Sequence, residues 1–456
     1  MYQTFTIKQK IKLIFIMLIP ILITQLGMFS MVFFNTVMSG KYNSADLAGV
    51  AIGSSIWNPI FTGLSGILLA VSPIVAQRFG EKKMKELSNV LIHGIYLAIM
   101  ISLIVLILGF FLLNPILNKM NLSSSVQRIA FDYLVGLSFG IFPLFLFNVL
   151  RSFIYGLGKT RVVMVILLIS LPINLFFNYV LIFGKWGFPE LGGAGAGYAS
   201  SVTEWVMVGL TLYVIKAFKP FSEYTSVSTF KQFSFKYFAE ILKIGVPMGL
   251  STFFETSMFA VVTILISTYA VTTIAAYQAA LNFISFIYMI PFSMGMALTV
   301  LVGFEVGAKR YQDAKIYSWL GASLAVLIAI IFGVLVVLFR NEVAGFYSNE
   351  QAVIRLTSNF LIYALFFHIS DAIQVTVQSA LRGYRDVNLA FIMTLIAYWI
   401  ICLPAGYFMA NFMNQGATGY WFGLTIGLLA AGICMSIRLI YIQKNKFTSF
   451  KVKEVV

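Results

Sequence analysis

Sixteen acidic residues occur in the chain, most of them in short polar stretches. Glu204, Glu255 and Asp371 differ, because each falls well inside a long apolar run, as in "STFFETSMF" at 251–259. At the centre of a bilayer a carboxylate costs about 2.5–3.5 kcal/mol on the insertion scale. No Lys or Arg stands at mid-depth in these runs, so the acids are expected to lack a salt-bridge partner. Each must then be protonated, hydrated or bound to a removable cation. Glu255 comes about three helical turns after Lys243, and Asp371 about three turns before Arg382. At roughly 1.5 Å per residue, both carboxylates stand about 16–18 Å from one basic layer. Two acids at one level can share a cation. The rival reading is two protonated carboxylic acids hydrogen-bonded between helices; ionisable groups inside membranes are functional by default, which favours the first.

Around this pair stand candidate auxiliary groups. Gln278 and Asn282, one helical turn apart, offer neutral oxygens or merely pack helices. His368 is three residues before Asp371 on the same face, as a proton-carrying neighbour or a structural hydrogen-bonding group. Asn35, Asn174 and Asn178 are the polar candidates of the N-terminal half, as ion or substrate ligands or as interhelical hydrogen bonds. Phe254, Tyr277, Tyr288, Tyr363 and Phe367 lie near the acids along their helices, where aromatic faces suit a lipophilic cation; most of the 44 Phe are ordinary packing or lipid-facing rings. Glu204 reads as a polar helix contact. "GGAGAG" at 192–197 follows no strand or βαβ unit, so close helix packing accounts for it better than nucleotide binding. Cys402 and Cys434 read as small buried hydrophobes. Pro20, Pro143, Pro172, Pro247, Pro291 and Pro404 fall inside spans as bending points or static kinks.

The elements that position these groups follow from composition. Of 456 residues, 60% are hydrophobic and 10% charged, against about 25% charged in ordinary soluble domains. The chain is therefore an all-α polytopic membrane protein. A window of about 20 apolar residues predicts twelve spans: 11–38, 47–77, 90–113, 127–153, 162–183, 192–216, 238–268, 272–304, 315–339, 353–380, 387–412 and 416–442. With both termini placed in the cytoplasm, 25 of the 31 basic residues fall on the inner side, as the positive-inside rule asks. The net charge of +15 thus reports membrane orientation and not nucleic-acid binding. The first span, preceded by Lys8, Lys10 and Lys12, is too long for a signal-peptide core and reads as a retained helix.

The chain also repeats itself. Pro20 and Pro247, Lys83 and Arg310, and Gly156 and Gly383 are all separated by one and the same interval. Two homologous six-helix lobes follow, residues 1–216 and 237–456, joined by a cytoplasmic linker at 217–236, the second lobe ending in a cytoplasmic tail. An even number of spans per lobe makes this a parallel repeat with the substrate path between the halves. Glu255 corresponds to Met28 and Asp371 to Leu144, so the acidic pair belongs to the C-terminal half alone.

"FNTVMSG", "SSIWNPIFTGLSGILLAVSPIVAQRFGEKK" and "LPINLFFNYVLIFGKWGFPELGGAGAGYASS", with Glu255 and Asp371, resemble the multidrug and toxic compound extrusion (MATE) family, in its NorM-type bacterial branch. The resemblance covers essentially the whole chain, and "FPELGGAGAGYAS" is its most specific part. It implies twelve helices in two lobes and efflux of organic cations driven by inward sodium or protons. Many members carry aspartate where Asn35 stands, and an amide takes up no proton. The expectation is a monomeric antiporter of the cell (inner) membrane, not an enzyme and without a cofactor. It exports amphiphilic organic cations, with Na+ held at Glu255 and Asp371. The alternatives are proton coupling, a lipid-linked oligosaccharide flippase, an intramembrane enzyme and a passive channel. A flippase asks for mid-membrane cations, and an enzyme for an aspartate pair or a Ser–His pair; neither constellation stands out.

Overall fold

The computed structural model describes residues 3–120, 122–224 and 233–455, with backbone alone for 446–455. Residues 225–232 of the expected linker and Val456 of the expected tail lie outside the described residues. Among the described residues, twelve helices are long and apolar enough to cross a membrane. They are α1 (Ile7–Tyr42), α2 (Ser44–Gly80), α3 (Met84–Asn118), α4 (Ser124–Gly156), α5 (Thr160–Phe183) and α6 (Gly193–Ala217). After them come α7 (Phe235–Ile266), α8 (Val271–Gly307), α9 (Tyr311–Leu338), α10 (Gln351–Gly383), α11 (Asn388–Asn411) and α12 (Ala417–Asn445). A helix satisfies its backbone internally, which a lipid-facing chain requires. Exposed apolar side chains such as Phe110, Phe111, Ile264 and Ile437 mark faces suited to lipid.

Side chains and turns set the helix ends. Asn43 accepts from the Ala45 amide at the start of α2, and Ser123 from the Val126 amide at the start of α4, the usual N-cap arrangement. The repeat is written into the turns as well. Lys82 and Lys309, which the repeat interval relates, both adopt positive φ, and so do Gly158 and Arg385 at the same spacing. Two helices depart from regularity. The second span breaks at Leu69–Ala70 between the segments Ser44–Leu68 and Val71–Gly80. In α11, Ile396–Cys402 forms a π-helical stretch just before Pro404.

The chain forms two compact units, one of Met1–Leu22 with Leu250–Val456 and the other of Ile23–Gly249. These are not coextensive with the halves 1–216 and 237–456, because α1 and α7 each divide between units two residues after their repeat-related prolines. Local contacts explain the division. In the first unit, buried Lys10 donates to Asp313 at 2.7 Å and to Thr4, and Thr4 meets the Tyr317 hydroxyl at 2.8 Å. In the second, Arg78 pairs with Glu240 at 3.1 Å and with Glu86. There Gly249 also packs so closely on α2 that an added Cβ would sit 2.5 Å from the Gly63 carbonyl oxygen.

Small residues seat the other helices. Within "GGAGAG", a Cβ at Gly195 or Gly197 would strike backbone of Leu181 or Tyr133, and Ser201 donates to the Gly136 carbonyl at 2.6 Å. These contacts clamp α6 onto α4 and α5. In the first unit, the aromatic core joins Tyr277, Phe360, Phe367 and Trp421. Cys402 is buried there, whereas Cys434, expected inside, is exposed on α12.

Candidate functional site

Four helices of the first unit converge on the acidic pair. α7 supplies half-buried Glu255, and α10 supplies Asp371, only 3% exposed. The two carboxylates lie close enough to act on one another. Tyr288 of α8 and Tyr398 of α11 face both. Tyr398 belongs to the π-helical stretch of α11; such stretches re-aim side chains and recur at functional sites. Arg382, at the end of α10, acts on Glu255 and donates to Gln378 at 2.9 Å. Arg382 is thus a longer-range cationic neighbour of Glu255 that counting along the sequence does not anticipate, while no salt bridge to either acid stands among the described residues. Arg382 counts in sequence as part of the basic layer, but its long stem carries the guanidinium back along the helix.

The candidate auxiliary groups are placed unevenly. Gln278 and Asn282 are exposed on α8, and Asn282 accepts from the Tyr347 hydroxyl at 3.0 Å. Among the described residues, no hydrogen bond joins either to Glu255 or Asp371. Buried His368 borders a cavity otherwise lined by Ile284, Ile287, Gly333, Val336, Ala364 and Leu365, an apolar setting. Of the five aromatics, Tyr288 reaches the acids. Phe254 packs on Trp399, whose indole donates to its carbonyl at 3.2 Å. Tyr277 and Phe367 are core rings around Trp421, and Tyr363 packs on Phe422 at 5.0 Å.

In the second unit the three asparagines do meet. Asn178 donates to Asn35 at 2.7 Å and to Asn174 at 3.0 Å. Asn35 donates to Ser200 at 2.9 Å and Asn174 to Thr203 at 3.1 Å. The cluster ties α1, α5 and α6 together without a formal charge. A second buried charge couple lies in the same unit, where Arg151 acts on Glu204. Arg151 donates to Asn148 at 2.6 Å and approaches the Met28 sulfur at 3.0 Å. Met28 is the repeat counterpart of Glu255, so each unit brings an arginine near that position, but a carboxylate occupies it in only one.

Twelve apolar helices in two repeats, with buried charge in each unit, define a multi-pass membrane transporter. The MatE family model matches residues 20–180 and 247–408. The chain is 50% identical over 445 residues to the probable multidrug resistance protein NorM of Halalkalibacterium halodurans, covering 98% of this chain and 97% of that protein. To the probable multidrug resistance protein NorM of Oceanobacillus iheyensis it is also 50% identical, covering 98% and 100%. Its fold matches that of the Vibrio cholerae MATE transporter VcmN in the bent form with a TM-score of 0.87, at 16% identity over 96% and 98% of the two chains. The chain belongs to the MatE family, in its bacterial NorM-type branch.

Proposed function

We propose that this protein is a multidrug efflux antiporter of the cell membrane, exporting amphiphilic organic cations in exchange for inward Na+. The observation that carries the reading is a charge count. Glu255 and Asp371, with Arg382 acting on Glu255 among the described residues, sum to −1 in formal charge when all three are ionised. One monovalent cation neutralises such a site, whether it is Na+ or the ammonium of a drug. Two cations competing for one negative charge are coupled without any further device: the drug leaves when the ion enters from outside, and the ion leaves inside. One elementary charge moving inward across 100 mV supplies about 2.3 kcal/mol. Tyr288 and Tyr398 add ring faces for a lipophilic cation. The names of the relatives agree with drug export.

Sodium is favoured over the proton because the second unit answers the acids with amides, and hard cations prefer oxygen ligands. Arg151 and Arg382 each face a carboxylate, which speaks against a flippase that needs free cations for pyrophosphate. In proteoliposomes, an inward sodium gradient at fixed pH is expected to drive ethidium export, and a proton gradient without sodium only weakly. Full transport on the proton gradient alone, unchanged by sodium, would reject sodium coupling. The basic-residue distribution supports a cytoplasmic position for both termini. Cysteine labels added after Val456 and in 217–236 should react only from inside, and one near Asn43 only from outside; a label on the wrong side overturns the orientation.

A further inference from the structure

Gln374 stands one turn after Asp371 on α10 and is 0% exposed. Both ends of its amide, Nε2 and Oε1, lack a hydrogen-bond partner among the described residues, as does Asp371 Oδ2. A buried amide with both ends unmet calls for a ligand or a water, since leaving it bare is costly. The next amide down the same face shows the contrast. Gln378 accepts from Arg382 at 2.9 Å and donates to Thr394 at 3.2 Å, so it is engaged at both ends.

Helical geometry relates Gln374 to Asp371. Residues i and i+3 share a face, and side chains tilt toward the helix N-terminus. This puts the Gln374 side chain on the same face of α10 as Asp371, one turn away. The fold does not ask for an amide there, because the repeat counterpart of Gln374 is Phe147, equally buried at 0% exposure in the second unit. Asp371 itself corresponds to Leu144. Carboxylate and amide thus occur together in the half that holds the acidic pair, and both are absent from the matching positions of the other.

We propose that Gln374, through Oε1, is a third protein oxygen ligand of the coupling cation, beside Asp371 and Glu255. The inference rests on the antiport reading above. It also sharpens the choice of ion, because a carboxamide oxygen coordinates an alkali cation but is not a proton acceptor near neutral pH. Gln374 then sets sodium affinity while the carboxylates set charge.

The test is equilibrium binding of radioactive sodium to the purified full-length protein at fixed pH. Wild type should bind saturably, Asp371→Asn should lose binding, and Gln374→Leu should bind at least tenfold more weakly. Monodisperse elution in detergent and a thermal-unfolding midpoint within a few degrees of wild type report that Gln374→Leu is folded. Should Gln374→Leu fail to fold, Gln374→Asn, with its amide drawn back by one methylene, is read in the same assay and should also bind more weakly. Wild-type sodium affinity in a folded Gln374 variant, with binding lost in Asp371→Asn, would overturn the third ligand and leave the antiport reading standing. Absence of saturable sodium binding in wild type would overturn both.

Discussion

Glu255→Gln and Asp371→Asn are each expected to abolish ion-coupled efflux while folded protein still reaches the membrane. Either change takes the site from −1 to neutral, the condition the second unit already has with Arg151 and Glu204. A unit charge about 4 Å from a bound cation contributes about 4 kcal/mol at an effective dielectric constant near 20. Its loss corresponds to roughly a thousandfold in cation affinity. The substitutions keep shape and hydrogen-bonding capacity, so the helices around Tyr288 and Tyr398 need not repack. The measurement is sodium-driven ethidium transport in proteoliposomes, normalised to monodisperse protein. Near-normal transport by both single variants would exclude a shared cation site.

The largest stability effect is expected from Lys10→Met. Lys10 is 2% exposed and donates to Asp313, to the Thr4 carbonyl and to the Thr4 hydroxyl. Methionine preserves much of the stem but removes the Nζ that stands 5.1 Å from the Tyr317 ring centroid and leaves Asp313, among the described residues, with Arg310 at 4.0 Å. Breaking a buried pair by removing one partner costs about 3–5 kcal/mol when both are fully buried. Asp313 is 23% exposed, so about 2–3 kcal/mol is the expected loss. Since the cost is chiefly that of the abandoned carboxylate, Lys10→Met combined with Asp313→Asn should recover more than half of it. Thermal unfolding of the single and double variants decides. A single variant within about 0.5 kcal/mol of wild type, as for an exposed pair, would show that the contact does not hold the first half of α1 in its unit.

Much of the architecture is legible without coordinates because it depends on position along the chain. Apolar length predicts twelve spans, and twelve stand among the described residues, with ends shifted by a few residues. The repeat interval recurs in the paired positive-φ residues Lys82 and Lys309. Glu255 and Asp371 stand out because a carboxylate in an apolar run is a one-dimensional anomaly, and a common depth follows from a common count to the basic layer. The same counting could have found Gln374, an amide three residues after a suspected ligand whose repeat counterpart is phenylalanine.

What spacing does not carry is the rotation of each helix about its own axis and the choice of neighbour, and there the tertiary structure decides. Gln278 and Asn282 are suitable ligands by type, yet α8 turns them to its exposed side and turns Tyr288 to the acids. Tyr398 is one aromatic in an apolar run until the fold sets it, within the π-helical stretch of α11, beside Glu255. Arg382 belongs by count to a surface layer, and only its side-chain path brings it to a carboxylate. The two halves of the sequence are continuous, but α1 and α7 divide between the compact units. There, the pairs Lys10–Asp313 and Arg78–Glu240, and the bare backbone at Gly249, hold each first half-helix more firmly than chain order does. Type and spacing determine which groups must be kept from lipid; packing determines which of them meet, because that depends on side-chain volumes and charges contributed by helices far apart in the chain.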